Sequence, residues 1–138
     1  MVGITTIRQR NTSFAGEHHA GQVCVFAGAT SGIGASTLEK MALIFEAPTF
    51  YILGRSAARF ESQCVKISSL NPQCKVVFIE VEVSLLSAID GACKQITADE
   101  QNVDYLYMSP GLIPLNGPQC NVSVVHAFPQ IDRFDRYV

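Results

Sequence analysis

Apolar residues recur along this chain as short continuous runs, separated by stretches in which they fall every three or four positions. Residues 22–27 (QVCVFA) form the first run, which ends in a cluster of glycines. Continuous rather than alternating apolarity is the pattern of a strand covered on both faces. From 34 to 45, Leu38, Met41, Ala42 and Phe45 keep helical spacing, which predicts a helix with one buried face. Residues 49–53 form a second strand-like run, closed by Gly54. Residues 57–70 line up Phe60, Cys64, Ile67 and Leu70 on one helical stripe, and Asn71-Pro72 stops it. Residues 75–79 predict a third strand. Ser84 then reads as the N-cap of a helix whose inner face is Leu85, Ile89, Cys93 and Ile96. Residues 103–108 predict a fourth strand, ended by Ser109-Pro110-Gly111.

Strands alternating with helices of this length build βαβ units around a parallel sheet. Right-handed crossovers then place helices on both faces. The expected fold class is α/β: a Rossmann-like, doubly wound parallel sheet, truncated at about four strands with flanking helices. Residues 1–20 are polar and mixed and predict an N-terminal arm with one short helical turn. Residues 21–117 carry the half-domain. Residues 118–138 predict an irregular tail, because Pro118 and Pro129 punctuate a segment without sustained periodicity. There are no internal repeats.

Composition narrows the function. The 138 residues are 48% hydrophobic and 16% charged, too apolar for a disordered chain and suited to a well-buried core. With a net charge of -2 and no basic block, nucleic-acid binding through a phosphate-matching patch is not expected. No apolar run reaches the roughly 18 residues of a membrane span, and the first twenty residues lack a signal peptide's apolar core. The expected location is the cytoplasm, with no membrane partner. The five cysteines are dispersed and form no C-x-x-C pair, so reduced single thiols are expected rather than a zinc or redox motif. Asn11-Thr12-Ser13 and Asn121-Val122-Ser123 match the glycosylation pattern, which has no meaning without secretion.

The chemistry is concentrated where the first strand meets the first helix of the repeat. Gly28-Ala-Thr-Ser-Gly32-Ile-Gly34 occupies that turn, and its setting is what makes a glycine pattern informative. A bound pyrophosphate must approach the backbone closely, and the helix N-terminus offers unpaired N–H groups and a positive dipole end. Gly28 is expected to make the turn, Gly32 to admit the phosphates and Gly34 to let the helix lie close, with Thr30 and Ser31 adding hydroxyls. A P-loop is excluded, since Ala35 stands where its lysine belongs and Ala29 where its first glycine belongs. A methyl-donor cofactor calls for an acidic residue after the second strand, where this chain has Gly54-Arg55-Ser56. Arg55, 21 positions after Gly34, suits the 2′-phosphate of NADP rather than the free ribose hydroxyls of NAD.

These residues resemble the short-chain dehydrogenases/reductases. Ala27 to Gly34 look like that family's Thr-Gly-x-x-x-Gly-x-Gly fingerprint, with Ala27 for the leading threonine. Gly54-Arg55-Ser56 is similar to its NADP-preferring second strand end. Glu82-Val83 stands where the family has Asp-Val or Asp-Leu against the adenine, and Gly111 matches the last glycine of its Asn-Asn-Ala-Gly. With Val-Ser-Leu-Leu at 83–86, the set looks closest to fungal members associated with secondary metabolism. The resemblance, over about 22–117, implies NADP(H) held by Gly28, Thr30, Ser31, Gly32, Ile33, Gly34, Arg55, Ser56, Glu82 and Gly111. It further implies hydride transfer between the nicotinamide and a carbonyl or alcohol carbon of a small-molecule substrate.

The family's catalytic dyad is a tyrosine followed four residues later by a lysine, the tyrosine acting as general acid or base. The last lysine here is Lys94, and Tyr51, Tyr105, Tyr107 and Tyr137 have no lysine at that spacing. No catalytic residue is therefore assigned. The alternative expectation is a truncated, non-catalytic nucleotide-binding remnant or module. Other constellations are weaker. His18 and His19 are adjacent and diverge on any regular element, so no metal site is assigned. His126, Asp132, Asp135 and Ser123 lack an elbow motif. Glu80 and Glu82 share a face only if their strand continues. An exposed fourth-strand edge predicts self-association.

Overall fold

The computed structural model describes residues 2–111. Eight elements follow in order: α1 (Ile4–Ala15), β1 (Val23–Ala27), α2 (Gly32–Ile44), β2 (Thr49–Gly54), α3 (Ala57–Leu70), β3 (Lys75–Glu80), α4 (Leu86–Asp99) and β4 (Tyr105–Met108). The four strands form one parallel sheet in the order β3-β2-β1-β4. The chain thus steps outward from β1 to β3 and then crosses back to place β4 on the other side of β1. That reversal puts the topological switch point at the C-terminal ends of β1 and β4, the place where open α/β sheets bind their ligands.

Burial on both faces explains the uninterrupted apolar runs. Cys24 and Phe26 of β1, with Phe50 and Ile52 of β2, face one side and pack with Leu38 and Ala42 of α2 and Phe60 and Ile67 of α3. The alternate residues Val25 and Tyr51 face the other side and pack with Ala92 and Ile96 of α4. Two helices on one face and one on the other make the sheet doubly wound. Phe26 meets Phe50 edge-on at 5.8 Å, and Phe60 stacks on Phe78 at 5.3 Å. Asn71 ties the two helices of the first face together, its Nδ2 donating to the carbonyls of Ala42 and Phe45 at 3.0 and 2.9 Å.

Four local expectations change. The arm carries a twelve-residue helix rather than one turn. Gly3 and Gly16 bracket a segment free of glycine and proline, so a helix, once nucleated, propagates across it. None of its residues is buried, and Phe14 tethers it by stacking on His19 at 4.0 Å. Ser84 does not cap α4; its hydroxyl donates instead to Glu82 Oε1 at 3.0 Å, and the cap position falls to Leu85 without a side-chain bond. The inner face of α4 is Ala92 and Ile96, supported by Ala88, while Cys93 is exposed. Small alanines let the helix lie close to the sheet, and a face built on them is weak in a hydropathy pattern. Finally, β4 begins at Tyr105: the Asp104 N–H still donates to the Val23 carbonyl at 2.8 Å, but the Val23 N–H donates to the Asp104 side chain, Oδ2 at 2.8 Å, instead of to a backbone carbonyl.

Cys24, Cys64, Cys74 and Cys93 are free thiols; Cys120 and the segment 118–138 lie outside the described residues, as do Ser123, His126, Asp132 and Asp135. Among the described residues no helix is long and apolar enough to cross a membrane. The outer edge of β4 has no strand partner among them, and Leu106 and Met108 on it are 61% and 68% exposed.

The buried acids give the fold an alkaline limit. Burial, with Asp104 and Cys74 nearby, pushes the Cys24 thiol from 9.0 up to about 12. Burial likewise raises Cys74 to about 11. The Tyr51 phenol is raised from 10.0 to about 12, first by burial and then by its 2.9 Å bond to Glu100. Each group is held neutral by the fold, so its contribution is intact below the unfolded value and is lost as pH climbs through the folded one. The urea midpoint is therefore expected to fall between about pH 9 and pH 12, with Tyr51→Phe flattening the upper part of the decline. A midpoint constant across that range would contradict it.

Candidate functional site

The predicted residues lie on the rim of loops that leave the C-terminal ends of the four strands, though not all of them come together. Gly28 follows β1 with φ +91°, a backbone conformation open in practice to glycine. A Cβ there would sit 2.5 Å from the Ser109 carbonyl oxygen and 2.9 Å from the Pro110 nitrogen. Gly28 therefore does more than turn the chain, because it lets the end of β4 close against the end of β1. Two bonds seal that contact: the Ser109 N–H donates to the Ala27 carbonyl at 2.9 Å, and Ser109 Oγ donates to the Gly28 carbonyl at 3.3 Å.

Gly34 lies in the first turn of α2, and a side chain on it would fall on the Gly28 carbonyl. Helix and loop are in backbone contact. Gly32 opens α2 with φ +61°, and the space beside it is empty out to 4 Å. Ser31 occupies the N-cap position with extended backbone and no side-chain capping bond, so the first-turn N–H groups are not closed off by a side chain. Ile33 projects from the crest, 78% exposed. The helix starts two residues earlier than its periodicity suggests, which makes the last two glycines of the loop part of the helix N-terminus itself. The Thr30 methyl lies over Gly54, where a Cβ would come within 3.0 Å of it, and this joins the loop to the end of β2.

Arg55 and Ser56 follow β2. Ser56 is the N-cap of α3 and accepts from the Arg59 N–H at 3.4 Å. Arg55 is exposed, with its Nε 4.0 Å from Glu82 Oε2. The chain leaves β3 at Glu80, so Glu80 and Glu82 do not share a strand face. Gly111 is exposed and makes no close approach to the loop. The structure thus brings together Gly28, Thr30, Ser31, Gly32, Ile33 and Gly34 as one unit and Arg55 with Glu82 as another, while Gly111 stands apart.

Sequence reasoning passed over three contributors. Ser109 was visible only as the residue that ends the fourth strand. Gly54 read as a strand end rather than a contact surface, and Ser84 as a helix cap. The two histidines are accounted for structurally: His18 Nδ1 lies 3.0 Å from Glu46 Oε2, and His19 Nε2 lies 2.7 Å from the Phe14 carbonyl.

A rim of this kind offers backbone N–H groups at a helix N-terminus, one cation, one carboxylate and several hydroxyls. It suits an extended anionic ligand with hydrogen-bonding ribose-like groups. Comparison with known proteins bears on the fold that carries this rim. No protein-family profile matches the chain. It is 38% identical over 117 residues to oxidoreductase AN1596 of Emericella nidulans, covering 85% of this chain and 34% of that one. Its fold is similar to L-sorbose reductase from Gluconobacter frateurii, solved with NADPH and L-sorbose, at a TM-score of 0.61 and 20% identity over 69% of this chain and 35% of that one. It is likewise similar to a short-chain type dehydrogenase/reductase from Mycobacterium marinum, at a TM-score of 0.58 and 17% identity over 69% and 36% of the two chains. The chain spans about a third of the length of each. With the glycine loop at the switch point of a doubly wound parallel sheet, the chain has the Rossmann-like fold of short-chain dehydrogenases/reductases and is similar in sequence to a fungal oxidoreductase over about a third of that protein's length.

Proposed function

We propose that this chain binds NADP(H) along the rim and supplies the cofactor-binding part of a cytoplasmic oxidoreductase, within fungal secondary metabolism. The observation that carries it is the locked loop: Gly28 and Gly34 are occupied by backbone on their Cβ sides, while Gly32 faces empty space beside an uncapped helix N-terminus. A pyrophosphate fits that cradle, because a side chain at 32 would fill the space and a capping side chain would compete for the N–H groups. The Gly32 and Ile33 N–H groups, with the hydroxyls of Ser31 and Thr30, would hold the pyrophosphate. Arg55 and Ser56 would hold the 2′-phosphate, Glu82 would lie by the adenine, and Gly111 would leave room beyond β4. When bound, the cofactor would supply a hydride donor or acceptor for a carbonyl or alcohol carbon of a small molecule.

A second reading, a nucleotide-binding module without turnover of its own, is favoured by one observation: no tyrosine in these 138 residues is followed by lysine at the fourth position. Titration calorimetry of the purified chain with NADPH and NADH, followed by an assay of carbonyl-dependent NADPH oxidation, tests both. Binding of NADPH more tightly than NADH, without turnover, is the expected result. Failure to bind either nucleotide would sink the proposal, and turnover by the chain alone would overturn the second reading.

A further inference from the structure

We propose that Glu82 limits the site's preference for a 2′-phosphate, holding a carboxylate against Arg55 at the place such a phosphate would occupy. This rests on the nucleotide-binding proposal above and adds a residue that sets specificity. The carboxylate is fixed from behind. Its Oε1 accepts from Ser84 Oγ at 3.0 Å and from the Ser84 N–H at 3.4 Å, which leaves Oε2 directed at Arg55 Nε, 4.0 Å away. Glu82 therefore does not need the arginine to stay in place.

The pair does little for the fold. The Arg55 and Glu82 side chains are 76% and 40% exposed, and ion pairs so open to water contribute next to nothing. Its effect falls on a ligand. A phosphate monoester carries about -1.5 to -2 charge at neutral pH. To reach the guanidinium it must come within a few ångströms of a carboxylate already aimed there. At such separations in water, repulsion weakens binding by about three- to tenfold, less at high salt. A free ribose 2′-hydroxyl meets no such penalty, since a carboxylate accepts its hydrogen bond. The two strand ends thus pull in opposite directions: Arg55 favours the phosphorylated nucleotide and Glu82 tempers that preference.

The test compares adenosine 2′,5′-bisphosphate with AMP, probes that differ only in the 2′-phosphate, by calorimetry on the full chain. Glu82→Gln is expected to tighten bisphosphate binding about three- to tenfold relative to AMP, with the gain shrinking in about 0.5 M salt. Ser84→Ala, which releases the carboxylate, is expected to shift the ratio the same way by a smaller factor, and it carries the test should Glu82→Gln not fold. An unchanged bisphosphate-to-AMP ratio in the folded variants overturns the role of Glu82. Failure of the wild-type chain to bind either probe is a different result, which overturns the nucleotide site itself.

Discussion

Replacing Gly34 with alanine is expected to lower the unfolding midpoint by about 10 °C and to abolish nucleotide binding. The added methyl would land on the Gly28 carbonyl and within 3.0 Å of the Ala29 Cα. Both obstacles are backbone, so no side chain can swing aside. Gly28 cannot retreat either, because its far side is filled by Ser109 and Pro110. Relief requires α2 to move off the sheet, where Leu38 and Ala42 are fully packed. Overpacking of this kind costs about 1–3 kcal/mol or more. Alanine's better helix propensity offsets up to about 1 kcal/mol of that, and each remaining kcal/mol is worth about 4–8 °C in a domain of this size. Gly91, in the middle of α4, has nothing within 4 Å of its Cβ position. The same substitution there is expected to raise the midpoint, and thermal unfolding of the two variants side by side makes the comparison. A Gly34→Ala protein as stable as wild type would show that the loop is not locked as described.

Arg55→Ala is expected to weaken NADPH binding by about 10- to 100-fold while leaving NADH within about twofold. A charge-assisted hydrogen bond to a phosphate contributes about 1.5–3 kcal/mol, and the two cofactors differ only at the group this side chain would meet. Arg55 is exposed and contributes no core contact, so the variant should fold normally. Calorimetry with both cofactors separates the outcomes. Equal loss of NADPH and NADH would indicate a damaged fold, and no loss of either would remove Arg55 from the site. Raising salt should reproduce part of the effect in the wild type and little of it in the variant.

The sheet was legible because its strands are buried on both faces: the runs around Val25 and Tyr51 are apolar throughout, and no helix of that length fits them. The glycine loop was legible because its spacing sits at a strand-to-helix junction. What escaped has a common cause. Ser84 was drawn away from its capping role by Glu82, two residues before it, and cap propensity alone does not reveal that competition. Cys93 was misplaced because Ala88 and Ala92 form the inner face of α4 by being small, a property hydropathy underweights. The part played by Ser109 depends on its being folded onto Gly28, 81 residues away in sequence. No local pattern encodes a contact of that range.

That same separation bears on when the cradle becomes competent. The left-handed turn at Gly28 follows β1 directly, yet what seals it comes from the end of β4 and is absent until that strand docks. Closing so long a loop is the most entropically demanding step in building the sheet, and contacts of high sequence separation slow folding. β1, β2 and β3 can assemble as a register of near neighbours, whereas the strand ends around Gly28 take final shape only once β4 is in place. A chain caught before that step would have most of its core and no finished nucleotide cradle.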